Sequence, residues 1–129
     1  MNGWMRTVSL IILSLTFSAP LAAEESDGFK SDAARGAQIF GTICAHCHLL
    51  TYEESRVGAP GLKGVLERHD TEWLDHWITS PEAFAKVDET AKALLDSNKY
   101  GLKMPTLPEM QDRKNRADVI EYLKTLKGD

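Results

Sequence analysis

The stretch ICAHCHLLTY, residues 43–52, contains both cysteines of this 129-residue chain and two of its four histidines. A short segment with this composition can form a disulfide, a redox-active dithiol, part of a zinc site or an attachment site for haem. Which of these chemistries operates determines what the remaining residues fold around.

Three of the alternatives have little support elsewhere in the sequence, although none is excluded by the segment itself. A thiol–disulfide exchanger carries its cysteines beside a βαβ pattern, and no run shows the alternation of a strand. Structural zinc needs further Cys or His ligands at short spacing, whereas His69 and His76 lie far along the chain. A plain disulfide between Cys44 and Cys47 is chemically permissible in an exported protein.

The spacing Cys44-x-x-Cys47-His48 is that of covalent c-type haem attachment. Two thiols at i and i+3 on a helical turn lie close enough to add to the two vinyl groups of one porphyrin, and the next histidine then directs its imidazole at the iron. His46, between the cysteines, is expected to point away from the ring. We therefore predict one haem c, bound through Cys44 and Cys47, with His48 as an axial ligand.

The second axial ligand is predicted to be a methionine, because a His/Met pair closes both axial positions and suits electron transfer. Met104 precedes Pro105, which biases Met104 toward an extended backbone. Met110 lies closer to the final helix, where a core or surface role is favoured. His69 and His76 are the rival ligands, in a bis-His site.

The first 23 residues have the composition of a secretory signal peptide. Arg6 is followed by the apolar run VSLIILSLTF, residues 8–17, and then by small residues before an acidic stretch. The run is too short for an ordinary membrane span. We expect cleavage after Ala23 and a periplasmic domain over residues 24–129, without stable membrane insertion. An uncleaved N-terminal anchor is the alternative.

The net charge of −4 becomes −5 when Arg6 is removed with the signal peptide. A mildly acidic chain without a basic cluster gives no indication of nucleic-acid binding.

Helical periodicity is confined to four segments separated by long loops, which predicts an all-α domain. The predicted helices run from Asp32 to Cys47, from Asp70 or Thr71 to Ser80, from Asp88 to Ser97 and from Asn115 to Leu126. Residues 49–69 and 99–110 are expected to be loops. Loops of this length are uncommon in a small domain unless they are functional, and a cofactor filling the centre would explain them.

With these residues in place, Ala33 to Lys127 resembles a class I cytochrome c of the small bacterial periplasmic type. RGAQIFGTICAHCH, residues 35–48, is similar to the N-terminal helix of that family, whose Gly and aromatic are here Gly36 and Phe40. ADVIEYLKTLK, residues 117–127, is similar to the C-terminal helix. The resemblance implies a cytochrome c fold over residues 24–129, with about four helices and long loops around one covalent haem, and with the terminal helices crossing.

The segment APGLKGV, residues 59–65, resembles the Gly-Pro-x-Leu-x-Gly stretch of the family. By that match the carbonyl of Pro60 accepts a hydrogen bond from His48 Nδ1, which fixes the ring and strengthens it as a ligand. Leu62 would pack on the haem.

The segments 72–84 and 103–105 carry the rest of the resemblance. KMP matches the loop that supplies the methionine ligand and gives Met104. Trp73 or Trp77 would donate its indole N–H to a haem propionate, with a plain core role as the alternative. Tyr100 would hydrogen-bond near the Met104 sulfur.

The function implied is that of a periplasmic one-electron carrier, which is not an enzyme. With both axial positions filled no substrate binds, and redox donor and acceptor proteins would dock transiently at the exposed haem edge. The alternatives are a haem subunit tightly associated with a periplasmic dehydrogenase or reductase of sulfur- or nitrogen-oxide metabolism, and a haem protein with an open sixth site. A basic docking rim is expected from residues near the ligand loops, namely Lys63, Lys99, Lys103, Arg113 and Lys114.

Overall fold

A computed structural model describes residues 30–129 of the chain, and the predicted signal peptide lies outside the described residues. Within this range there are six α-helices, two 3-10 turns and no strand, which confirms the predicted all-α fold. The helices are α1 (Ala33–Thr42), α2 (Val65–Arg68), α3 (Thr71–Thr79), α4 (Pro81–Phe84), α5 (Glu89–Asp96) and α6 (Arg113–Leu123). The 3-10 turns are Cys44–His46 and Pro108–Gln111.

The four predicted helices are present as α1, α3, α5 and α6, but the first is shorter than predicted. The α1 helix ends at Thr42 because Ile43 leaves the helical region, with φ −120° and ψ −62°, and the cysteines lie on a separate 3-10 turn. Two helices of four residues each were not predicted. One of them, α4, begins at Pro81, where the missing proline N–H costs nothing because it would have no partner in the helix.

Aspartate caps fix the beginnings of the four longer helices. Each of these side chains accepts hydrogen bonds from backbone N–H groups of the first turn, which otherwise lack partners. The caps are Asp32, Asp70, Asp88 and Asp112.

The helices α1 and α6 cross with their backbones in close approach, as the resemblance implied. A methyl group at Gly36 would overlap the backbone carbonyl of Asp118, so only glycine fits at this point of the crossing. One turn further along, the rings of Phe40 and Tyr122 pack at a centroid distance of 5.6 Å. Phe40 is buried in the main core, on which Tyr122 packs from outside.

A buried carboxylate ties the beginning of α1 to α6. Asp118 is fully buried, and its oxygens accept hydrogen bonds from the guanidinium of Arg35, from Lys114 Nζ at 2.8 and 2.9 Å and from the backbone N–H of Asp32 at 2.8 Å. Burial raises the pKa of Asp118, but the hydrogen bonds from Lys114 and Arg35 outweigh it and hold the pKa below its usual range. The carboxylate is therefore charged and fully paired in the native state.

The hydrophobic core lies between α1, α3 and α6. Met110 is 1% exposed and belongs to this core, which decides between the core and surface roles expected for it. No helix among residues 30–129 combines the length and the apolar character needed to cross a membrane.

Replacing Gly36 by Ala will destabilise the protein, because the new methyl group pushes α1 away from the α6 backbone. We expect a loss of about 3 kcal/mol, at the upper end for overpacking, since the obstacle is backbone. Gly41→Ala is the matched control in the same helix, because no atom lies within 4 Å of a Cβ there; it should stabilise by about 0.5–1 kcal/mol. Denaturant unfolding of both variants measures the difference, and equal effects would contradict the close approach.

The free energy of unfolding will fall in acid as Asp118 is protonated. Because its folded pKa is depressed, its contribution is complete above the unfolded pKa of about 4 and is lost as the pH falls through the lower folded value. Asp118→Asn should therefore be less stable at neutral pH and should lose less stability on acidification. Asp96→Asn is the control, since Asp96 also pairs with a lysine four residues away but is exposed. Unfolding titrations at several pH values test this; parallel curves for wild type and Asp118→Asn would contradict it.

Candidate functional site

An apolar cavity of about 500 Å³ lies beside the core and is lined by residues from distant parts of the chain. Its walls come from the helices α1, α3 and α6 and from the loops around residues 58–62 and 97–107. The residues predicted to serve the site line it almost without exception: Cys44, Cys47, His48, Pro60, Leu62, Trp73, Trp77 and Met104. Tyr100 is not among them and is 65% exposed.

The 3-10 turn Cys44–His46 places both cysteines on one wall of the cavity. The carbonyl oxygen of Cys44 accepts hydrogen bonds from the backbone N–H groups of Cys47, at 3.1 Å, and of His48, at 2.9 Å. Both cysteines are free and partly buried.

The electrostatics of Cys44 do not suit a thiol–disulfide exchanger. Burial raises the pKa of the Cys44 thiol to about 11, a hydrogen bond to its own backbone opposes the shift, and the neighbouring Cys47 adds to it. A reactive redox cysteine instead has a lowered pKa and is present as thiolate. The thiol is therefore neutral at ordinary pH and faces an apolar space.

His48 is held as a neutral imidazole with one nitrogen already engaged. Its Nδ1 lies 2.9 Å from the carbonyl oxygen of Pro60, so Nδ1 carries the proton and donates it. Burial lowers the pKa of His48, and the bond to Pro60 opposes this only in part. Nε2 consequently keeps an unshared lone pair, as a metal ligand requires.

The loop that presents Pro60 is fixed by contacts on both sides. The backbone N–H of Leu62 donates to Leu49 O at 3.0 Å. The guanidinium of Arg68 donates to Gly61 O at 3.0 Å and to Lys63 O at 2.8 Å. A Cβ at Gly61 would overlap the carbonyl of Thr51, so the loop packs at backbone distance.

Arg68 was not singled out from the sequence. Its signal was weak, because α2 is too short to show helical periodicity, and a single arginine does not reveal which carbonyl groups it reaches.

The loop that presents Met104 is organised by Asn98, which was also missed. The Asn98 side chain accepts hydrogen bonds from the N–H groups of Tyr100 at 2.8 Å and Leu102 at 3.3 Å, and donates to Val57 O at 2.9 Å. Gly101 completes the turn with φ 72°. An Asn before a Gly-containing loop is a turn signal, but its partner Val57 lies too far along the chain to be inferred.

The two tryptophans of α3 are Trp73 and Trp77, and the indole N–H of Trp73 is hydrogen-bonded within the protein. Trp73 Nε1 donates to Asp88 Oδ1 at 3.2 Å, so this donor is used within the protein. The Trp73 ring stacks on His69, with centroids 4.0 Å apart, and on Trp77, with centroids 5.5 Å apart. Of the two tryptophans predicted to serve a haem propionate, Trp73 therefore has its indole N–H engaged within the protein.

The chain matches the model of one protein family, described as cytochrome c, over residues 33–127. This chain belongs to the cytochrome c family. It is 30% identical over 106 residues to cytochrome c2 of Rhodopila globiformis, a match that covers 74% of this chain and 94% of the relative. It is 34% identical over 105 residues to cytochrome c of Stellaria longipes, covering 75% and 95%. It is 30% identical over 99 residues to cytochrome c of Guizotia abyssinica, covering 72% and 88%.

Membership of this family settles the chemistry of the cysteine segment. Cytochromes c are electron-transfer proteins, not enzymes, and bind one haem c covalently through cysteines, which are Cys44 and Cys47 in this chain. The cavity fits that group, because it is apolar, has both thiols in one wall and is lined by a neutral imidazole and a thioether. Within residues 30–129, no three His, Cys, Asp or Glu side chains are grouped closely enough to hold a metal ion by themselves.

Replacing Asn98 by Leu will loosen the Met104 loop, because three backbone groups lose their partner. The hydrogen bonds to Tyr100 and Leu102 protect those amides, so we expect their hydrogen exchange to accelerate while the amides of α6 change little. The free energy of unfolding should fall by about 1–3 kcal/mol.

Asn98→Asp is the control, since it keeps the acceptor for the two amides and loses only the donation to Val57. Exchange at Tyr100 and Leu102 should then remain slow. Fast amide exchange at Tyr100 and Leu102 in both variants would mean that the hydrogen bond to Val57 alone holds the loop. Unchanged exchange in both variants would contradict the role of Asn98.

Proposed function

We propose that this protein is a periplasmic one-electron carrier whose haem iron is held between His48 and Met104. The observation that carries the proposal is the His48–Pro60 hydrogen bond beside a cavity that Met104 also lines. A neutral imidazole and a thioether are the ligand pair of electron-transferring cytochromes c, and this pair raises the potential.

Haem c supplies an iron that exchanges one electron between its ferrous and ferric states. The chain's own contribution is to keep the surroundings constant during that exchange. Pro60 orients the His48 ring, Arg68 and Gly61 fix the loop that carries Pro60, and Asn98 fixes the turn before Met104. With two protein ligands no position is left for a substrate.

The apolar lining excludes water and disfavours additional charge in the cavity. Leu62 and Trp77 supply part of this lining, and a low local dielectric strengthens every remaining electrostatic interaction. In the proposed arrangement the Trp77 indole N–H donates to a haem propionate, since the N–H of Trp73 is already bonded to Asp88. The hydrogen bond proposed for Tyr100 near the Met104 sulfur stays a prediction.

The proposed location is the periplasm, after removal of residues 1–23 as a signal peptide. Support comes from the order of a basic residue, an apolar run and small residues before Glu24, and from the attachment of c-type haem outside the cytoplasm. The domain would then comprise residues 24–129 and would serve respiratory electron transport between a donor and an acceptor protein.

Replacing Met104 by Ala will abolish the weak far-red absorption band of the oxidised protein, which marks a thioether bound to ferric iron. The reduction potential should fall as well, because loss of the thioether removes the ligand that favours the ferrous state. Visible spectra during a redox titration measure both quantities on the same sample.

Met110→Leu is the matched control, since the residue is buried, lines the same cavity and exchanges for Leu at a cost of less than about 1.5 kcal/mol. This variant should keep the band. A band that survives in Met104→Ala and disappears in Met110→Leu would overturn the ligand assignment. Copurification with a dehydrogenase or reductase at native salt would show that the protein is a subunit of that enzyme and not a free carrier.

A further inference from the structure

Two segments meet at one mouth of the cavity, residues 53–58 and 96–105, and together they are called the mouth patch. The Asn98 side chain donates to Val57 O at 2.9 Å and so joins them. Ser97, Leu102, Lys103 and Pro105 are exposed and also line the cavity. The patch therefore borders both the cavity and solvent, which gives a partner that contacts it a short route for electron exchange.

The mouth patch has no formal net charge. Its three acidic and three basic residues balance, and they are Glu53, Glu54, Asp96, Arg56, Lys99 and Lys103. Two of the lysines are paired within the patch, Lys99 with Glu54 at 2.5 Å and Lys103 with Asp96 at 3.5 Å. The positive charges expected to attract an acidic partner are thus offset locally.

The other three members of the predicted basic rim lie elsewhere. Lys63 pairs with Asp129 at 2.7 Å, and Lys114 pairs with the buried Asp118 at the crossing of α1 and α6. Arg113 lines a separate surface depression between α3 and α6. The predicted basic rim is therefore not assembled at the mouth of the cavity.

Exposed side chains with large apolar surfaces lie on the same patch as these charges, and Lys99 Nζ lies 5.2 Å from the Tyr100 ring centroid. Tyr100 is 65% exposed, Leu102 47% and Val57 37%, all on the mouth patch. Side chains of this size leave an apolar surface that a complementary apolar surface would cover.

We propose that a redox protein with a complementary apolar, uncharged face docks on the mouth patch, so that its association there is nearly independent of salt. The inference rests on the proposed function and specifies the partner of the same site. Complementary charge accelerates encounter and makes its rate sensitive to ionic strength. A neutral patch lacks this electrostatic steering. Which protein binds there then depends on how much complementary apolar surface it can bury against the patch.

Two small oxidants of opposite charge test the local field at the mouth. Hexacyanoferrate(III) takes one electron from the reduced protein and becomes hexacyanoferrate(II); tris(phenanthroline)cobalt(III), a cation, takes one electron and becomes the cobalt(II) complex. Stopped-flow rates are measured between about 10 mM and 200 mM salt, over which the screening length falls from about 30 to about 7 Å. We expect each rate constant to change by less than about threefold over this range.

Two double variants distinguish the effect of charge on the mouth patch from the effect of the total charge on the rate. Glu54→Gln combined with Asp96→Asn gives the patch a formal charge of +2 and should accelerate oxidation by hexacyanoferrate(III) about tenfold at low salt. Glu72→Gln combined with Glu121→Gln changes the total charge equally but alters the depression between α3 and α6, and should leave the rate nearly unchanged. A tenfold fall of the wild-type rate with salt, or an equal response of both double variants, would overturn the proposal.

A binding measurement accompanies the rates. Hexacyanochromate(III) is a redox-inert paramagnetic anion that broadens the amide resonances of residues near which it resides. It should broaden residues 53–58 and 96–105 in Glu54→Gln/Asp96→Asn and not in the wild type; broadening of the wild-type patch would contradict its neutrality. A protein that shows no reversible one-electron titration would instead refute the proposed function, so the two failures are distinguishable.

Discussion

The constraint on which this structure depends is that about a hundred residues must surround a group larger than any side chain. A cavity of about 500 Å³ lies beside the core, so the helix faces that line it have no side-chain packing partners within the protein. Two devices compensate. At the crossing of α1 and α6 the backbones touch at Gly36 and the buried Asp118 joins them. Around the cavity, Arg68 and Asn98 bond backbone groups of loops that have no regular structure.

The same devices explain why the protein can be rigid where electron transfer needs rigidity. An electron carrier works best when its surroundings change little between oxidation states. Both the loop that holds Pro60 against His48 and the loop that presents Met104 are held by several hydrogen bonds. Other charged groups at the surface form ion pairs with one another. Near the cavity Lys99 pairs with Glu54 and Lys103 with Asp96, so the basic charge that was expected there is offset by acidic partners.

The sequence predicted the parts of the fold that depend on short spacings. The beginnings of α1, α3 and α5 and the Gly36–Phe40 face of α1 are local patterns, and each was found as expected. The cysteine segment lines the cavity, but at a 3-10 turn rather than in the first helix. The two 3-10 turns and the helices α2 and α4 were missed, because three or four residues are too few to show a period of 3.6. Asp118, Arg68 and Asn98 were missed for another reason: a polar residue in a helix or turn does not reveal which distant backbone or side-chain group it bonds.

The two sides of the cavity also differ in the sequence separation of the residues that their hydrogen bonds join. Cys44, Cys47, His48 and Pro60 belong to one short stretch, and the His48–Pro60 bond spans 12 positions. The Asn98–Val57 bond that anchors the Met104 loop spans 41. Because the entropy lost on closing a loop rises with its length, the contact on the methionine side costs more chain entropy than the contact on the histidine side.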